Sequence, residues 1–143
     1  MTTHPRIVVG VDGSPASVDA LRWAARQAEL TGSALEAITT WEYPAQYGSE
    51  VLLYAQDVNW ADLAQTTLAT AITEAGSSAL TSCIQTVTEG QPAHVLVSAS
   101  AEADLLVVGS RGHGGFAGLL LGSVSEYVIA HATCPVVVIR HRT

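Results

Sequence analysis

Apolar and polar positions divide this chain into short continuous apolar runs alternating with longer stretches of helical spacing. Arg6-Ile7-Val8-Val9-Gly10-Val11 is a β-branched run, the pattern of a strand buried on both faces. Asp12-Gly13-Ser14-Pro15 ends it, with Ser14 suited to cap a helix and Pro15 to its first position. Leu21, Ala24, Ala25 and Ala28 then recur at helical spacing, and Gly32 stops the helix. Ala34 to Trp41 predicts a second strand, and Asp57 to Ala75 a long helix with Trp60, Ala64, Leu68, Ala71, Ile72 and Ala75 on one stripe. Ser82 to Glu89 is a more polar strand, suited to a sheet edge. Gly90-Gln91-Pro92 turns into a helix carrying Ala93, Leu96, Val97 and Ser100. Leu105 to Gly109 predicts a fourth strand, Gly122 to His131 a last helix, and Pro135 to Arg140 a fifth strand.

This alternation predicts one domain over residues 1–143 of α/β class. The expected architecture is a Rossmann-like, doubly wound, five-stranded parallel sheet with helices on both faces. If the spatial order is 3-2-1-4-5, the winding reversal lies between strands one and four, where such folds bind ligands. That reversal would bring Asp12 beside the loop after Gly109. Residues 42–56 hold Pro44, Gly48, Tyr43, Tyr47 and Tyr54, and read as a long loop: a cover over a site or a variable connector.

Composition narrows the chemistry. The net charge of −7 argues against a nucleic-acid or anionic-membrane surface, so neither is an expected partner. No apolar run approaches the roughly 18–20 residues of a membrane span, and Met1 to Arg6 leads into a strand without a signal-peptide core. Cytoplasmic residence is the expectation, with Cys83 and Cys134 as buried thiols rather than a disulfide. All six cations are arginines, so a Schiff-base lysine and a P-loop lysine are both excluded.

The remaining chemistry concentrates in Gly109-Ser110-Arg111-Gly112-His113-Gly114-Gly115 and in Gly122-Ser123-Val124-Ser125-Glu126. A glycine loop lets backbone N–H groups approach an anion, and a helix N-terminus adds unpaired donors and a favourable dipole. Gly109 is expected to leave room for a ligand. Ser123 and Glu126 have capping-box spacing, so Ser123 is either a cap or a phosphate contact. Asp12 either stabilises its own turn or serves a ribose hydroxyl or Mg²⁺. His113 either touches phosphate or faces solvent; His4, His94, His131 and His141 lack metal spacing. A dinucleotide fingerprint fits Gly112, Gly114 and Ala117 poorly, and no Gly-x-Ser-x-Gly elbow is present.

The glycine spacing of Gly109, Gly112, Gly122 and Ser123 occurs here with Val9-Gly10-Val11-Asp12-Gly13-Ser14 and Cys134-Pro135-Val136-Val137-Val138. In this combination the whole chain resembles the universal stress protein family, in its ATP-binding branch. The resemblance implies that Asp12 contacts adenosine, with Gly10 beside it, and that Val11 and Thr40 flank the adenine. It implies that Val108, Gly109, Arg111 and Gly112 line the ribose and phosphates, and that Gly122, Ser123, Val124 and Ser125 hold the phosphate tail. Thr40 and Trp41 stand where the family often has simpler aliphatic residues.

The implied cofactor is ATP, with or without Mg²⁺, and the implied assembly is a homodimer pairing through Val136, Val137, Val138 and Ile139. The function expected is nucleotide-dependent stress response, through a protein partner the sequence does not identify, rather than efficient catalysis. Slow Mg²⁺-dependent ATP hydrolysis through Asp12, binding of AMP or cyclic AMP, and a scaffold with an empty loop are the alternatives.

Overall fold

The computed structural model describes residues 5–43, 57–111 and 121–141. The described elements are β1 (Arg6–Gly10), α1 (Pro15–Thr31), β2 (Ala34–Trp41), α2 (Trp60–Ala75), β3 (Ile84–Glu89), α3 (Pro92–Ser100), β4 (Leu105–Gly109), α4 (Ser123–His131) and β5 (Val136–Ile139), with a 3-10 turn at Ser78–Ser82. All strand pairs are parallel, as the alternation predicted, and the order is β3-β2-β1-β4-β5, the one that the family resemblance implies. Glycine in the left-handed conformation ends α1 at Gly32 (φ 67°) and α2 at Gly76 (φ 64°).

Helices cover both faces of the sheet, because successive strand residues point opposite ways. Ile7, Val9, Leu35, Ala37 and Val107 pack with α1 and α2. Val8, Ile38, Leu106 and Val108 pack with Leu96 of α3 and Val128 of α4. Glu36 is a carboxylate on that second face, tolerated because the Arg6 guanidinium pairs with it and the Thr86 hydroxyl donates to it at 2.6 Å. β3 is one edge of the sheet, as its polar pattern required. β5 is the other, and all four of its residues are half-buried.

Element boundaries differ from the sequence reading in local ways. The long helix begins at Trp60 rather than Asp57, because the Asn59 side chain accepts from Asp62 N (3.1 Å) and starts the helix there. Ser82 closes the 3-10 turn instead of opening β3. The two thiols are half-buried and unbridged, not fully enclosed. No described helix is long and apolar enough to cross a membrane. Gly112, His113 and residues 44–56 lie outside the described residues.

Candidate functional site

The site begins where β1 runs out. Val11 N still donates to Ile38 O (2.9 Å), and the chain then turns sharply. Asp12 Oδ1 accepts from Ser14 N (2.9 Å), and Gly13 takes φ 84°, a conformation that a side chain disfavours. Ser14 caps α1, its hydroxyl accepting from Ser17 N (3.3 Å). The buried Ser17 hydroxyl donates to Ser14 O (3.0 Å) and lies 3.3 Å from Asp12 N. Asp12 therefore performs the turn-stabilising role, and its exposed side chain also borders the cleft.

The second bend follows β4. Ser110 N donates to Ile139 O and Gly122 N to Ser110 O, each at 2.7 Å. The buried Ser125 hydroxyl lies 3.0 Å from the carbonyl oxygens of both Ser110 and Gly122. Ser110 thus ties the end of β4 to β5 and to the start of α4. Ser14 Oγ lies 3.4 Å from Arg111 O, joining the two bends across 97 positions of sequence.

The capping box is not formed. Gly122, not Ser123, is the N-cap of α4, and among the described residues no side-chain cap is formed. Ser123 is instead the first helical residue, exposed at the cleft. The N–H groups of a first helical turn have no intrahelical acceptor, so this end of α4 presents donors and the positive end of its dipole.

These elements enclose a cleft of about 320 Å³, within the range of small-molecule sites. Of the expected binding residues, Gly10, Val11, Asp12, Thr40, Val108, Gly109, Arg111, Gly122, Ser123, Val124 and Ser125 all line it. Gly112 is outside the described residues. Ser14, Ser17, Ile38, Pro92 and Leu96 also line the cleft and escaped the sequence reading. Ile38 could have been found, since period-two alternation puts it on the same face as Thr40. Leu96 carried only a core-helix signal. Ser110 carried none, because its bonds are all long-range.

The glycines need a different account from the one expected. A Cβ on Gly109 would lie 2.8 Å from the Ala16 carbonyl carbon and 2.9 Å from Ser17 N. The bare backbone there admits the first turn of α1, rather than a ligand. A Cβ on Gly10 would lie 2.7 Å from Leu96 Cδ1, so this glycine seats α3.

Chemically the lining has two parts. Ile38, Leu96, Val108 and Pro92 are apolar, whereas Ser14, Arg111, Ser123 and the start of α4 are polar. Among the described residues, the cleft's charged lining residues are Asp12 and Arg111. Among the described residues no group of three or more His, Cys, Asp or Glu could hold a metal ion. Both thiols titrate above their ordinary value of 9.0: burial raises each, and the Asp104 carboxylate adds to the effect at Cys134.

Comparison with known proteins bears on the family and the fold. The sequence model of the universal stress protein family matches residues 4–140. A universal stress protein of Mycobacterium tuberculosis is 39% identical over 143 aligned residues, covering 93% of this chain and 46% of the relative. One from Mycolicibacterium smegmatis is 34% identical over 149, covering 95% and 46%. The chain thus spans about half the length of the curated relatives it matches. Universal stress protein UspA from Lactobacillus plantarum superposes with a TM-score of 0.81 at 23% identity, covering 98% of this chain and 100% of that one. A universal stress protein in complex with cAMP superposes with a TM-score of 0.68 at 29% identity, covering 99% and 100%.

Proposed function

The chain belongs to the universal stress protein family, and from that premise we propose that it binds ATP in this cleft. In this reading it acts as a nucleotide-dependent stress-response protein rather than an efficient catalyst. The observation that carries the reading is the open N-terminus of α4 at a cleft lined also by the apolar Ile38, Leu96 and Val108. A phosphate tail would take its hydrogen bonds from the main chain of Gly122 to Ser125 and its counter-charge from Arg111. The adenosine would lie toward Val11, Thr40 and Val108, with Asp12 accepting from the ribose. If Mg²⁺ accompanies the phosphates, Asp12 is the lining carboxylate able to hold it.

The described lining contains no histidine and one carboxylate, which is a poor outfit for general-base hydrolysis. Slow hydrolysis through Asp12 is the enzymatic alternative. Binding of AMP or cyclic AMP is favoured by the cAMP complex of the 29%-identical neighbour. Residence in the cytoplasm and pairing of two copies through Val136–Ile139 complete the proposal; the half-buried apolar edge of β5 supports the pairing. Sedimentation showing only a 14.9 kDa particle at high concentration would remove the dimer.

Calorimetry with ATP, AMP and cyclic AMP tests the ligand, and phosphate release with and without Mg²⁺ tests the enzymatic alternative. Gly122→Glu should abolish nucleotide binding while leaving the unfolding transition cooperative, because it puts a carboxylate against the phosphate seat. A folded Gly122→Glu protein with unchanged affinity would overturn the site.

A further inference from the structure

We propose that His141 is a positioning residue for the cleft: by donating to Asp19 it holds the end of β5, and through Ser110 the start of α4, in the arrangement that receives phosphate. The inference rests on the nucleotide reading above and names a residue outside the lining on which that site depends.

β5 is an edge strand of four residues, paired in the sheet with β4. A short edge strand has few bonds of its own to keep its end from fraying. That end matters here, because Ile139 O accepts from Ser110 N at 2.7 Å. Ser110 O accepts in turn from Gly122 N at 2.7 Å, and the Ser125 hydroxyl lies 3.0 Å from the same oxygen. Gly122 and Ser125 line the cleft at the open start of α4. A shift of Ile139 would therefore pass along these hydrogen bonds to the donors of the first helical turn.

Just beyond Ile139 the chain is tied down. His141 Nδ1 lies 2.7 Å from Asp19 Oδ2, joining positions 122 apart in sequence. An ionised carboxylate only accepts, so Nδ1 carries the proton of this bond. Asp19 is itself fixed. Arg22 Nη1 donates to Asp19 Oδ1 at 2.8 Å, while Nη2 donates to Glu74 O at 2.8 Å and Nε to Ala75 O at 3.3 Å. Arg22 thus serves carbonyls of the last turn of α2, which lack an intrahelical donor, and it holds the carboxylate of α1 where His141 meets it. The Asp19 side chain is 26% exposed and that of His141 41%. Isolated surface pairs contribute little, but a pair set in a network such as this one contributes measurably.

The test is amide hydrogen exchange by NMR on the intact chain, with calorimetric titration of ATP beside it, in wild type, His141→Ala and His141→Asn. Asparagine places its amide nitrogen as many bonds from the backbone as the imidazole Nδ1, and so keeps a donor for Asp19. His141→Ala should speed exchange at Ser110 and Gly122 by about two- to fivefold, the range of such a pair, and weaken ATP by a similar factor. Amides of β1 and β2 should keep their rates, and His141→Asn should restore both readouts. Unchanged exchange at Ser110 and Gly122, failure of asparagine to restore it, or unchanged ATP affinity in His141→Ala overturns the proposal. Equal acceleration throughout β1 and β2 also overturns it, since that marks a general loss of stability and not positioning. If wild type binds no ATP, the nucleotide reading of the cleft falls; the exchange rates then still decide whether His141 holds the second bend.

Discussion

Replacing Gly109 by alanine is the sharpest test of how the cleft is built. The added methyl would lie 2.8 Å from the Ala16 carbonyl carbon, 2.9 Å from Ala16 Cβ and 2.9 Å from Ser17 N. The crowding includes backbone of the first turn of α1, which is fixed by the Ser14 cap and the Asp12 turn. Relief therefore requires moving a helix or a strand end. Overpacking of this kind costs about 3 kcal/mol at the upper end of its usual range. The lower entropy of the unfolded alanine chain offsets about 0.5 kcal/mol of that. With an unfolding entropy of about 2.1 cal/mol/K per residue, each kcal/mol is worth about 3 °C here, so Tm should fall by about 8 °C.

Gly10→Ala is the control. Its methyl would meet Leu96 Cδ1 at 2.7 Å, the far end of a side chain that can change rotamer. That costs about 1 kcal/mol, and Tm should stay within about 3 °C of wild type. The assay is thermal unfolding by circular dichroism, with nucleotide calorimetry beside it. Gly109→Ala should also weaken binding, because the displaced turn carries Asp12 and Ser14 into the cleft wall. If Gly109→Ala is no more destabilised than Gly10→Ala, the packing explanation is wrong and the ligand-approach explanation returns.

Ser14→Ala removes the cap of α1 and the contact with Arg111 O, so it should cost about 1 kcal/mol and loosen the two bends; unaltered Tm and affinity would show the link to be idle. The thiols carry a pH prediction. Their raised pKa means the folded chain holds these protons more tightly than the unfolded chain, so stability falls as pH rises through and above 9.0. Asp104→Asn should bring Cys134 nearer its ordinary pKa and speed its alkylation, and an unchanged rate would show that the carboxylate's field does not reach the sulfur.

Much of the molecule was legible in order along the chain. The β-branched runs Ile7–Val9 and Leu105–Val108, the proline at the start of α1 and the glycines ending α1 and α2 are local signals with local causes. Alternation then restricts the sheet to a few parallel topologies, and the edge character of β3 follows from its polar residues. Part of the cleft lining was legible through the resemblance, because the motifs that end β1, β4 and the loop before α4 are short and contiguous, whereas Ser17, Ile38, Pro92 and Leu96 carried no such motif.

The order and type of the elements, and the two bends at which chemistry could gather, are therefore written in the local residue pattern. Tertiary structure alone decided how those bends are used. The spacing of Ser123 and Glu126 permits a cap, yet the chain enters α4 through Gly122 and leaves that helix end open to the cleft. Gly109 looked like space for a ligand and is occupied space for α1. Ser110 had no local signature, and it joins β4, β5 and α4. The reason is physical: capping and close packing depend on which backbone atoms arrive from distant parts of the chain, and local spacing carries no record of that approach.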